Sequence, residues 1–287
     1  MFAETTIDRW ESIHRFFCFL SSSRPKWIFR GHTDESWLLD SSLQRRVNDY
    51  RLNPGSATVA ERIMLEKFKR TAHHFLQYPP DDSNNIEWLS ILQHHGGITR
   101  LVDFTRSFYV ALFFAIESSS LEDVHACVWC ISQHKLEDRA SELLEEELHY
   151  DVSDVKSDIL YNDGRQIANL LIGIDTPHNA VIPLMPYRLN ERMSIQQGIF
   201  LFPSNLCVSV MDNLYSMFDV HAMDEVHFRH ITHSFNDYCV IKLVIPSICH
   251  KEIMADLNRM NITASSLFPG LDGHARSLQY VLLDPMA

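Results

Sequence analysis

The chain contains no stretch of about eighteen uninterrupted apolar residues, so a membrane-spanning helix is not expected. Its first ten residues, Met1 to Trp10, carry Glu4 and Asp8 and lack the basic start and apolar centre of a secretory signal peptide. Glycine and proline are sparse, at 9 and 11 of 287 residues, and no low-complexity run or Pro/Ser-rich linker interrupts the sequence. Positive charge is short as well. The 25 Lys and Arg face 37 Asp and Glu, for a formal charge of −12, which opposes non-specific attachment to nucleic acid because phosphate contacts need net positive surface. Three familiar fingerprints are missing: the Gly-x-Ser-x-Gly elbow, the Gly-x-x-x-x-Gly-Lys phosphate loop and Gly-x-Gly-x-x-Gly. The six cysteines are scattered through apolar surroundings, as reduced thiols are, and no disulfide framework is expected. On these absences a cytoplasmic protein is expected.

Hydrophobic residues make up 46% of the chain, enough for a substantial core. Helical spacing of Ile7, Trp10, Ile13, Phe16, Phe17 and Leu20 predicts an amphipathic helix over Ile7–Leu20, and Trp27-Ile28-Phe29 predicts a strand that delivers Arg30 to its end, with Gly31 freeing a turn. Helices follow over Ala57–Tyr78, from Asn84 or Asn85 to His94, and over Ser107–Glu117. Strands are expected over Val124–Ile131, Ala180–Leu184, Ile199–Phe202 and Tyr238–Ile245, a helix over Ser247–Met260, and a C-terminal helical cap broken at Pro269-Gly270. Strands and helices alternate without a regular βαβ rhythm. The reading is α+β: one compact domain over residues 1–287, with a mixed or antiparallel split sheet flanked by helices and a helical insertion at about 135–175.

Two clusters carry candidate chemistry. In Phe29-Arg30-Gly31-His32 an Arg beside a Gly can hold an anionic group bidentately while the backbone approaches closely; the alternative is an exposed Arg before a turn. From Gln93 to Thr105 a helix stops at Gly96-Gly97 and a polar set is threaded between apolar residues. Leu101 and Val102 would draw Arg100 and Asp103 into the core, where a buried Arg needs a partner and Asp103 is the expected one. That pair, with Thr99 and Thr105, can equally be a structural polar network.

The strings WIFRGH, LQHHGGITRLVDFTRSFYVALFFA, RMSIQQGIFLFP and ITASSLFPGLDGHA occur in that order from residue 27 to residue 275. In them the chain resembles the FRG-domain family of bacteria and phages, whose members often stand near defence or toxin loci. His95 and Phe104 stand where that family often has Tyr and Trp. The layout is also similar to that of the ADP-ribosyltransferase superfamily: a strand-borne Arg with a small residue, a later Thr-bearing strand, and a late polar residue. The resemblance implies an effector or toxin-like enzyme that uses NAD in ADP-ribosyl transfer or NAD hydrolysis. Its catalytic candidates are Arg30, His94, Asp103 and Gln197. Contacts to the nucleotide would come from Arg30, Gly31, His32, Thr99, Arg100, Thr105 and Gln196. Gln196 and Gln197 replace the Glu of that superfamily, and Glu191 lies earlier. The competing class is a non-catalytic binding module for a regulatory or acceptor protein, recruited through the acidic face of Glu137, Asp138, Glu142, Glu145, Glu146 and Glu147.

No metal is expected. Cys127 and Cys130, flanked by His125 and His134, lie in a strand-like run where residues three apart face opposite sides. His227, His230 and His233, with His221 nearby, lack an accompanying acid of the HExxH type.

Overall fold

A computed structural model describes residues 1–7, 9–22, 26–118, 124–148, 152–161, 164–172, 178–234 and 237–282. Its strands are β1 (Phe2–Thr6), β2 (Trp27–His32), β3 (Val102–Thr105), β4 (Ala126–Ser132), β5 (Val181–Leu184), β6 (Gly198–Pro203), β7 (Asp224–Glu225) and β8 (Val240–Ile245). They form one mixed eight-stranded sheet in the order β5-β6-β3-β2-β4-β8-β1-β7. β1 runs parallel to β7 and β8, and the other pairs are antiparallel.

The helices are α1 (Trp10–Ser22), α2 (Ser42–Asp49), α3 (Ser56–Ala72), α4 (Asn85–His94), α5 (Phe108–Ile116), α6 (Gln133–Leu148), α7 (Val152–Tyr161), α8 (Arg165–Leu171), α9 (Glu191–Ile195), α10 (Val210–Phe218), α11 (Phe228–Ser234), α12 (His250–Arg259), α13 (Ala264–Leu267) and α14 (Leu271–Ser277). They cover both faces of the sheet. All seven residues of β4 are buried, as a central strand covered on both sides requires. Side chains alternate across it: Cys127, Trp129 and Ile131 join the core with α3, α4, α6 and α8, while Ala126, Val128 and Cys130 join the core with α1, α5 and α12. The two thiols of Cys127 and Cys130 thus lie in different layers. Among the described residues no group of His, Cys, Asp and Glu could hold a metal ion. No described helix is long and apolar enough to cross a membrane.

The helices expected between β4 and β5 form as α6, α7 and α8, and Leu136, Leu144, Val155, Ile159 and Leu171 contribute to the same core as the sheet. Positions 173–175 of that segment lie outside the described residues.

Several expectations are corrected. The first helix begins at Trp10, not Ile7, because Phe2–Thr6 forms an edge-side strand whose partner, β8, lies at the other end of the chain. α3 ends at Ala72, well short of Tyr78. Arg30 is not at a strand end: β2 continues through His32, with Arg30 opposite Trp129 and Gly31 opposite Val128. Gly31 makes no turn. A Cβ there would lie 2.0 Å from the Ala111 carbonyl oxygen and 2.5 Å from the Ala115 nitrogen, so the glycine lets α5 cross against the strand. The sheet is also not split in two, although it comes close. β2 and β3 share the single pair Phe29–Thr105, and beyond it the strands part.

Candidate functional site

The parting between β2 and β3 opens a cavity of about 320 Å³. Phe29, Arg30 and Gly31 of β2 face Asp103, Phe104 and Thr105 of β3 across it, with Ser90, Gln93 and His94 of α4, Ala111 and Phe114 of α5, and Asn190, Arg192, Met193, Gln196 and Phe200 completing the wall. The ladder bond that the parted strands no longer make is replaced from a side chain: Arg30 Nη1 donates to the Asp103 carbonyl at 2.7 Å. Arg30 Nε donates to His32 Nε2 at 3.0 Å. A guanidinium has five N–H groups, so others remain for a ligand.

A second cavity of about 220 Å³ adjoins the first, lined by Asp40, Ser42, Arg45, Gly96, Gly97, Ile98, Leu101 and Val102. Arg30, Gln93 and Asp103 line both cavities and form the wall between them. The wall is held from below. Gln93 Nε2 donates to Asp103 Oδ1 at 2.9 Å, and the Thr99 hydroxyl donates to Gln93 Oε1. Thr99 is itself fixed, since its hydroxyl accepts from Leu101 N at 3.1 Å and its backbone N–H donates to Ser42 Oγ at 3.0 Å.

α4 is placed by its ends. The Asn84 side chain accepts from Glu87 N at the start, and Gly96, at φ +84°, releases the chain at the finish. Gly97 leaves room for Leu92, whose Cδ1 would meet an added Cβ at 2.4 Å.

Charge on the first cavity is lopsided. Burial lowers the Arg30 and Arg192 guanidiniums from their ordinary value while Asp103 raises both, so one carboxylate serves two cations. Burial, then His95 and Arg192, lower the His94 imidazole. His32 is pushed down to about 3, first by burial and then by Arg30; with Nε2 accepting from Arg30, its proton sits on Nδ1.

The residues expected at the site fall into two groups. Arg30, Gly31, His94, Asp103, Thr105 and Gln196 line the first cavity. Thr105 Oγ1 donates to the Gln196 carbonyl at 2.6 Å, and Gln196 Nε2 donates to the Leu267 carbonyl at 3.0 Å, which ties β3, α9 and α13 together. His32, Thr99, Arg100 and Gln197 line neither cavity. His32 backs Arg30 from within the core, and Thr99 backs Gln93. Gln197 is an exposed residue at φ 51° whose carbonyl accepts from Arg106 N at 3.0 Å.

Arg100 departs furthest from expectation. It is fully buried, and its partner is Glu61 of α3, not Asp103. Arg100 Nε donates to both Glu61 oxygens at 2.9 and 2.8 Å, Nη2 donates to Oε2, and Nη1 reaches the Pro203 and Ser204 carbonyls at 3.3 Å. Its guanidinium lies 4.6 Å from the Phe202 ring centroid. Asp103 is exposed to the cavities instead, because strand alternation buries Val102 and Phe104 and turns Asp103 the other way.

Arg192 was not among the sequence candidates, although it opens the string RMSIQQGIFLFP. Phe29, Phe114, Phe200 and Met193 of the apolar wall were likewise missed, since nothing in their local pattern separates a cavity-lining apolar residue from a core one.

Residues 25–124 match the FRG domain as a family, a span that takes in β2, α4, β3 and α5 but not Arg192, Gln196 or Phe200. No curated protein and no solved structure matches the chain.

Proposed function

We propose that the chain, which carries an FRG domain over residues 25–124, binds an anionic nucleotide in the parting between β2 and β3 and uses NAD there, by ADP-ribosyl transfer or by hydrolysis. The observation that carries this reading is Arg30. Its half-buried guanidinium, with N–H groups left over, shares one cavity with a carboxylate and an apolar aromatic wall. A pyrophosphate matches the planar fork, and a flat ring matches the wall of Phe29, Phe104, Phe114 and Phe200.

In this reading Arg30 takes the phosphates, held in its rotamer by His32 and the Asp103 carbonyl. Breaking the glycosidic bond of NAD releases nicotinamide and puts positive charge on the ribose. Asp103, held by Gln93, is the carboxylate available to that charge. Gln196 of the same wall has its amide nitrogen committed to Leu267, which leaves its amide oxygen for a ribose hydroxyl. His94, lowered by burial, is neutral near pH 7 and can accept a proton from an attacking hydroxyl or water.

A second reading, a binding module without chemistry, draws on the Thr99–Gln93 bond and the sealed Arg100–Glu61 pair, in which polar groups satisfy one another. One experiment separates the two: nicotinamide release from NAD by wild type, Arg30→Ala and Arg30→Lys at matched soluble concentration. Catalysis predicts a loss of orders of magnitude for Ala and partial rescue by Lys, which supplies charge without the fork. Three indistinguishable traces leave the binding module.

A further inference from the structure

We infer that Arg192 is the second arm of an anion clamp with Arg30, and that the two guanidiniums together take the phosphate groups of a phosphorylated ligand in the first cavity. The inference rests on the anionic-ligand part of the reading above and not on NAD chemistry.

Arg192 is placed by the C-terminal segment. Its guanidinium lies 4.6 Å from the Phe268 ring centroid, and that of Arg276 lies 4.7 Å from the same centroid. Arg276 in turn is ion-paired with Glu117, whose side chain is only 2% exposed, at the end of α5. Phe268 packs edge-on against Phe114, a residue of the cavity wall, at 5.9 Å. The hydrogen bond from the Gln196 side-chain amide to the Leu267 carbonyl fastens α9 to the residue just before Phe268. A stacked Arg loses little rotamer freedom on binding, so it meets a ligand already oriented.

Charge balance makes Arg192 an anion receptor. Among the described residues it forms no ion pair of its own, and Glu117 is taken by Arg276. Asp103 is the carboxylate on the cavity wall, and it already stands opposite Arg30. Two arginines and one aspartate leave one positive charge in a partly desolvated cavity, which a phosphate group neutralises with charge-assisted hydrogen bonds. Phosphate flanked by two guanidiniums is held from two sides, which a single Arg30 cannot do.

The test is isothermal titration of the full chain with inorganic pyrophosphate, at two salt concentrations. Wild type is expected to bind saturably and more weakly at higher salt. Arg192→Ala and Arg30→Ala should each weaken binding at least about tenfold, with Arg192→Lys between them and wild type. Phe268→Leu keeps apolar bulk, removes the ring and should weaken binding while Arg192 is still present. If Arg192→Ala melts early, Arg192→Gln, which keeps the length of the side chain, supplies the comparison. Pyrophosphate binding within twofold of wild type in a normally melting Arg192 variant overturns the clamp, as does a wild type that does not bind pyrophosphate. Arg192-dependent pyrophosphate binding without NAD turnover would sink the transfer reading alone, and NAD turnover with an unchanged KM in Arg192→Ala would sink the clamp alone.

Discussion

Truncating Glu61 should do more damage than truncating any carboxylate around the cavity. The Arg100–Glu61 pair is sealed, with each side chain 1% exposed, and the Glu61 carboxylate receives donations from both Nε and Nη2. Glu61→Ala leaves the Arg100 charge in the core with only two long bonds to the Pro203 and Ser204 carbonyls and the Phe202 ring. Breaking a buried pair from one side costs about 3–5 kcal/mol. For 287 residues the unfolding entropy is roughly 0.6 kcal/mol/K, so the melting temperature should fall by about 5–8 °C. Asp103→Ala is the control. Its carboxylate is exposed and accepts one bond from Gln93, so the loss should stay within about 1 kcal/mol. The double variant Glu61→Leu with Arg100→Met leaves no charge behind and should recover much of the loss, short of the two carbonyls that lose their donor. Thermal and urea unfolding of wild type and the three variants gives the comparison. If Asp103→Ala destabilises as much as Glu61→Ala, or the double variant is worse than Glu61→Ala, the pairing argued here is wrong.

Gly31→Ala should cost about 3 kcal/mol or more, because the added methyl meets backbone atoms of α5 that cannot swing aside; soluble yield and denaturant midpoint report it, and a midpoint like wild type contradicts the crossing geometry. His32 sets a pH dependence. Its folded value, about 3, lies below the unfolded value near 6.5, so the unfolded chain binds the proton first as pH falls. The His32 contribution is therefore complete above about pH 6.5 and is lost at up to about 1.4 kcal/mol per pH unit on acidification toward 3. His32→Gln should flatten the fall in urea midpoint between pH 7.5 and 5.5 by about one proton; an unchanged slope means that His32 is protonated in the folded state. His94 and His250 are lowered as well and add slope of the same sign, so the comparison is the difference between variant and wild type.

Much of this architecture was legible because it is written in local patterns. Periodicity located α4 and α5, which the structure caps with Asn84 and Ser107, and apolar runs located β4, β5, β6 and β8 within a residue or two. The strings WIFRGH and LQHHGGITRLVDFT pointed to the two strands that part to make the cavity, and six of the ten candidate residues line it. The resemblance to the FRG family likewise came from contiguous strings, and it matches residues 25–124.

What local pattern could not carry was partnership. Asp103 stands three residues from Arg100 in sequence, yet Arg100 lies in the bend before β3 and finds Glu61 on a helix 39 residues earlier. β1 looks like the approach to a helix until β8, more than two hundred residues on, supplies its ladder. Gly31 looks like a turn until α5 is laid across it, and Arg192 looks like any surface cation until Phe268 and the Asp103 cavity are brought to it. Sequence spacing determines which face of an element a side chain takes, because backbone geometry repeats every 2 or 3.6 residues. Which charge meets which, and where a sheet parts to admit a ligand, depends on contacts between segments far apart in the chain, and only the tertiary structure decides those.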